Sequence, residues 1–142
     1  MAGHILQFFF GDLTDKIGSP KLVIAGTFVM SITILITPLV AQSYLSLLVL
    51  FFFWGTGAAA WNVSANNWLS TIGEKENKEG VILGSYISIA KLGEGSAYLL
   101  SGVVVAFFGY SGAFFVLGTI GLVGVIAAAH LFVHLHKQGL DS

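Results

Sequence analysis

The chain contains no cysteine, which excludes disulfides, thiolate–metal ligation and a cysteine nucleophile. Charge is almost as scarce: 9% of residues are Asp, Glu, Lys or Arg against 56% hydrophobic, and the mean hydropathy is +0.88. A chain of 142 residues so composed has too little polar surface to solvate a soluble domain. There is no basic tract for nucleic acid and no acidic tail, and a net charge of −1 favours no charged partner. The N-terminus also lacks the basic region and small-residue cleavage site of a secretory signal, so insertion into a membrane has to come from internal spans.

Long apolar runs are what the sequence does have. From Leu22 to Gly73 no side chain is charged, and about 20 apolar residues already cross the hydrocarbon core of a bilayer. Four stretches, 22–40, 45–69, 81–108 and 113–133, are each long enough to cross as a helix. The opening stretch 1–10 would extend only about 15 Å as a helix, half the hydrocarbon thickness, and reads as the end of a broken helix in a truncated frame. The expected fold is all-α, a polytopic transmembrane helix bundle forming one partial domain over 1–142: the end of one helix plus four full spans. Lysines orient it. Lys16 and Lys21 lie in the polar segment 11–21, Lys75 and Lys78 in the segment 70–79, and Lys137 after the last span, while the opposite connections 41–43 and 109–112 carry no basic residue. The positive-inside rule makes segments 11–21 and 70–79 and the C-terminus cytoplasmic, in a multi-pass protein of the cell membrane.

The first polar segment reads Gly11-Asp12-Leu13-Thr14-Asp15-Lys16-Ile17-Gly18-Ser19-Pro20-Lys21. Glycines suit a tight loop, and a carboxylate beside a helix start can accept its free N–H groups, which singles out Asp15. The segment resembles the signature of the major facilitator superfamily, Gly-x-Leu-x-Asp-(Arg or Lys)-x-Gly followed by basic residues. Gly11, Leu13, Asp15, Lys16 and Gly18 match in register, with Lys21 alone standing for the basic pair. A second stretch, Gly80 to Gly84, Lys91 to Gly95, Gly102, then Gly109-Tyr110 and Phe114, is similar to the fifth helix of a six-helix half in that family. The resemblance covers nearly the whole chain. It implies part of one half, with the signature loop as a conformational latch, in a secondary transporter that moves a small solute by alternating access, coupled to a proton or another ion. A chain that ends after the sixth helix, with no arginine near 51–57, fits the C-terminal half. The partners so implied are the lipid bilayer, the solute, and the missing half or another copy of the chain; no cofactor is implied. The competing class is a small structural or accessory membrane subunit, and no nucleophile–base pair or metal set points to an enzyme.

Lys91 and Glu94 are the charged residues set deep in a span, where charge is costly and marks a function or a structural pairing. At i, i+3 each can offset the other's desolvation, and Tyr98 falls near the same face. Two readings stand: a transport pathway, with Glu94 taking a proton or cation and Lys91 meeting an anion, or a structural pair between helices. Gly80, Gly84, Gly95 and Gly102 suit close helix packing. Asn62 and Asn66, at i, i+4, either bind solute or glue helices, the second being the commoner use. Trp54, Trp61 and Trp68 form a heptad stripe suited to packing, with Trp68 an interfacial anchor. His130, His134 and His136 lack a further metal ligand and suit the membrane interface. Asn62-Val63-Ser64 is discarded as a glycosylation site because it lies inside a membrane helix, and Gly55-Thr56-Gly57 as a nucleotide loop because no strand precedes it.

Overall fold

The computed structural model describes residues 2–137, and side chains over 10–134; the side chains of residues 1–9 and 135–142, His136 and Lys137 among them, lie outside that range. Four helices account for almost all of it: α1 Ala2–Ile17, α2 Ser19–Val40, α3 Tyr44–Lys75 and α4 Glu79–Lys137, with no strand among the described residues. Three of them, α2, α3 and α4, are long and apolar enough to cross a membrane.

The junctions are shorter than the sequence leads one to expect. The polar segment 11–21 is not a loop: α1 continues through Gly11 to Ile17, and the one residue between it and α2 is Gly18. Gly18 has φ 95° and ψ 137°, a conformation glycine reaches without a Cβ clash, and Pro20 follows in the first turn of α2, where its missing N–H costs nothing. Likewise the connection 109–112 contracts to Gly109 alone, at φ 68° and ψ 176°. This residue divides α4 into an outbound arm, 79–108, and a return arm, 110–137.

Polar caps mark the other two ends. Ser43 opens α3 with a reciprocal capping box, its hydroxyl accepting from the Ser46 N–H at 3.2 Å while the Ser46 hydroxyl accepts from the Ser43 N–H at 3.1 Å. At the far end Asn77 takes the left-handed conformation, φ 53°, and the N–H groups of Asn77 and Lys78 close on the carbonyls of Glu74 and Gly73. That pattern is a Schellman motif with asparagine where glycine is commoner.

Contacts fix the helix directions. Gly26 of α2 meets Gly57 and Trp61 of α3, and Ser19 meets Asn67 further down, so these helices run antiparallel. Trp61 packs against Tyr86, ring centroids 6.5 Å apart and tilted by 45°, and Ser70 donates a hydrogen bond to Glu79, so the outbound arm runs antiparallel to α3. Leu35 and Ser31 of α2 meet Gly118 and Gly121, which sets the return arm antiparallel to α2. The chain therefore reverses at Gly109, and Lys16, Lys21, Lys75, Lys78 and the C-terminal end of α4 gather at one end of the bundle.

Small residues make the core. A Cβ on Gly26 would lie 2.6 Å from the Gly57 carbonyl oxygen, and one on Gly57 2.7 Å from that of Gly26. On the other side of α2, a Cβ on Gly118 would lie 2.8 Å from the Leu35 Cα. Residues 26 and 35 are about 180° apart at 3.6 residues per turn, so α2 is clasped between α3 and the return arm. Its hydroxyls turn inward on their own helix: Thr27, Ser31, Thr33 and Thr37 donate to the carbonyls of Val23, Thr27, Val29 and Thr33 at 2.7–2.8 Å.

Candidate functional site

The outbound arm carries a charged pair at its middle. Glu94 stands 15 residues from both Glu79 and Gly109, about 22 Å from each end of the arm. The Lys91 ammonium donates to Glu94 Oε2 at 2.6 Å, and the Tyr98 hydroxyl donates to Glu94 Oε1 at 3.2 Å. Both carboxylate oxygens thus have a partner on the same helix, at the i+3 and i+4 separations that bring side chains together. Apart from this pair, no charged residue lies between Glu79 and Lys137.

None of the other helices covers the triad. The side chains of Lys91 and Glu94 are 72% and 46% exposed, and Tyr98 is exposed as well. Glu79 and Tyr86 mark the side of the arm that meets α3, and Lys91 lies about 120–140° around the helix from them. Gly80, Gly84, Gly95 and Gly102 fall on the Lys91 side, and a Cβ on any of them would meet nothing within 4 Å. Among the described glycines, those on which a Cβ would come within 3 Å of another helix are Gly26, Gly57, Gly73, Gly118 and Gly121.

Asn62 and Asn66 do not join the triad. The Asn66 amide donates to the Asn62 carbonyl oxygen at 2.9 Å along α3, and both side chains are exposed. Since Tyr86 is level with Trp61 and the arm runs antiparallel, Lys91 is level with about residue 56, roughly 9 Å along the axis from Asn62. His130 and His134 are exposed on the return arm, towards the lysine end. Trp54 and Trp68 are exposed, whereas Trp61 is half-buried against Tyr86.

A family model, that of the Major Facilitator Superfamily, matches residues 1–140. The chain belongs to the Major Facilitator Superfamily, a family of membrane transporters. No curated protein and no solved structure matches it.

The facilitator signature takes an unexpected form here. Gly11, Leu13, Asp15 and Lys16 lie in the last two turns of α1, Gly18 makes the turn, and Lys21 is exposed in the first turn of α2. Asp15 and Lys16 are exposed. No side chain caps the N-terminus of α2, so Asp15 does not bond the free N–H groups that its position in sequence suggests. The reason is that α1 stays helical through Ile17, which places Asp15 in a last turn rather than beside a first one.

The contact that ties the signature to the bundle comes from a residue the pattern leaves open. Thr14 is buried, its hydroxyl donating to the Phe10 carbonyl at 2.6 Å and lying 3.0 Å from the hydroxyl of Ser64, the most deeply buried side chain described. Neither partner stands out in the sequence, Thr14 lying among Asp12, Asp15 and Lys16, and Ser64 among Asn62, Asn66 and Asn67. Replacing Ser64 with valine removes the α1–α3 bond and crowds Thr14; a loss of about 1 kcal/mol is expected, read as a lower unfolding midpoint in detergent, with Ser64→Thr closer to the parent. An unchanged midpoint for Ser64→Val would show that the bond contributes nothing.

Proposed function

We propose that the chain forms part of a secondary active transporter that carries a small solute by alternating access, and that the uncovered face of the outbound arm lines its pathway. The observation that carries this is the Lys91–Glu94–Tyr98 triad, held at mid-arm, where every residue from 87 to 100 is exposed and no other helix of the chain covers the arm. Ionised groups at that depth face a water-filled cavity or other protein rather than lipid. The face is then completed by further helices, from the missing transporter half or from another copy of the chain. Glu94 takes the coupling proton or ion, Lys91 and Tyr98 hold the solute, and Asn62 and Asn66 lie further towards the lysine end of the same route. The lysine end faces the cytoplasm of a cell-membrane protein by the positive-inside rule. There the signature residues Gly11 to Lys21, tied to α3 through Thr14, act as the latch between states.

Absence of cysteine makes the test direct. Single cysteines at Gly95 and Tyr98 in the assembled transporter are expected to react with a membrane-impermeant thiol reagent, and a cysteine at Tyr86, which packs against Trp61 of α3, to stay unmodified. Silence at both Gly95 and Tyr98 would remove the pathway and favour an accessory subunit, whose uncovered face is a permanent contact.

A further inference from the structure

Away from the outbound arm, α2, α3 and the return arm enclose a cavity of about 310 Å³. Its walls include Thr33, Ile34 and Thr37 of α2, Leu47 and Trp54 of α3, and Phe114 of the return arm. These residues lie about 5–15 Å in from Val40, Tyr44 and Gly109, the helix ends opposite the lysines. We propose that the cavity is a binding site for a small uncharged apolar molecule, of the size of two fused aromatic rings, that carries one hydrogen-bond donor. No residue of the outbound arm lines it, so the site stands apart from the Lys91–Glu94–Tyr98 triad and does not depend on the pathway reading.

Volume and lining set the size and the apolar character of the ligand. A cavity of about 150 Å³ with apolar walls already takes up benzene, and this one has roughly twice that volume. Its lining is almost wholly apolar, and no Asp, Glu, Lys or Arg lies on α2 after Lys21, on α3 before Glu74 or on the return arm before Lys137. A charged ligand would give up its hydration there and gain no counter-charge. Phe51, Trp54 and Phe114 line the cavity and are exposed, which leaves it open on one side to a molecule dissolved in the bilayer.

The donor is called for by the little polarity the wall does have. Pro38 stands inside α2, four residues after Ile34, so there is no N–H to close on the Ile34 carbonyl, and the proline ring crowds that oxygen as well. Hydroxyl side chains often repair such a gap in a membrane helix, but the two nearest are already committed. Thr33 donates to the Val29 carbonyl and Thr37 to the Thr33 carbonyl, each at 2.7 Å. These three lining residues therefore bring oxygens able to accept and no free hydrogen to donate. An acceptor left bare among apolar groups is costly, so a hydroxyl or ring N–H arriving with the ligand strengthens binding where a second acceptor weakens it. A plain hydrocarbon fills the space and leaves the carbonyl as it was.

The test uses the assembled transporter in liposomes and two radiolabelled probes of one shape, 2-naphthol and 2-methylnaphthalene, which differ by a hydroxyl in place of a methyl. Equilibrium dialysis against protein-free liposomes of the same lipid separates site binding from partition into the bilayer. Both probes are expected to show one saturable site per chain, with 2-naphthol bound about 2- to 10-fold more tightly at equal lipid-phase concentration. Pro38→Ala returns an N–H to the Ile34 carbonyl and should bring 2-naphthol down to the affinity of 2-methylnaphthalene while leaving the latter unchanged. Leu47→Trp fills the space and should abolish both. Absence of saturable binding would mean that the rest of the transporter occupies or closes the cavity, and it overturns the inference. So does equal affinity of the two probes in the parent, which describes a slot for lipid tails. A hydroxyl preference that survives Pro38→Ala, or binding that survives Leu47→Trp, places the donor's partner elsewhere and is equally fatal.

Discussion

Lys91→Met is expected to lower the amount of folded protein in the membrane and to reduce uptake by an order of magnitude or more, whereas adding Glu94→Gln should restore the folded protein but not the uptake. The single change strands a carboxylate at mid-arm without its ammonium, and on the pathway reading proposed above an unpaired charge in low dielectric is far worse than no charge. The double change removes both charges and leaves Tyr98 a neutral amide to bond. A pair that serves only assembly would regain uptake together with folding, because nothing structural is then missing. Recovery of protein without recovery of transport therefore separates the two roles, and both are read on one membrane preparation by quantitative immunoblot and solute uptake. Full recovery of uptake in the double variant would assign the pair to structure.

Gly57→Ala and Gly26→Ala form the second large effect, a loss of about 1–3 kcal/mol each, from overpacking that cannot be relieved by a side-chain rotation. The atoms in the way are main-chain atoms: the Gly26 oxygen at 2.7 Å from a Cβ on Gly57, and the Gly57 oxygen and Trp61 nitrogen at 2.6 and 2.8 Å from one on Gly26. Gly55 is the internal control. It lies two residues away in the same helix, a Cβ there meets nothing within 4 Å, and alanine should be neutral or slightly stabilising through its better helix propensity. Denaturant unfolding in mixed micelles compares the three variants. Equal stability for Gly55→Ala and Gly57→Ala would show that α2 and α3 are not in backbone contact.

The contrast between these glycines marks where the sequence stops being readable. The spans are legible because 52 consecutive residues from Leu22 to Gly73 without a charge leave no other solvent than lipid. The end that gathers lysines is legible because the spacing of Lys16, Lys21, Lys75 and Lys78 alternates with the uncharged connections. Which face of each span is inside is not. In water a polar stripe reports the exposed face, but in a bilayer both lipid and core are apolar, and burial follows side-chain size rather than polarity. Gly80, Gly84, Gly95 and Gly102 therefore look no different in sequence from Gly26, Gly57 and Gly118, and only the latter group touches another helix of the chain.

The junctions fail for a related reason. Polar and glycine-rich stretches suggest loops, yet Gly11 to Ile17 keeps its helical bonds, and a single residue of unusual backbone conformation does the turning at Gly18 and again at Gly109. The candidate site was easier, since Lys91 and Glu94 stand out against their apolar surroundings and their i, i+3 spacing requires proximity. Thr14 and Ser64 were not, because a contact between residues 50 positions apart leaves no local trace.

Four of the five hydroxyls of α2, those of Thr27, Ser31, Thr33 and Thr37, give the bundle an unusual mechanical freedom. Because each hydrogen closes on a carbonyl of its own rod, these groups travel with α2 and need no fixed acceptor on either neighbour. A rocking movement of α3 or of the return arm against α2 then shears dispersion contacts and the steric meshing of glycines, without uncovering a donor to lipid. Away from the Asn67–Ser19 contact at the lysine end, wear on that bearing surface is steric, so its friction is set by methyl-sized bumps rather than by polar attachments.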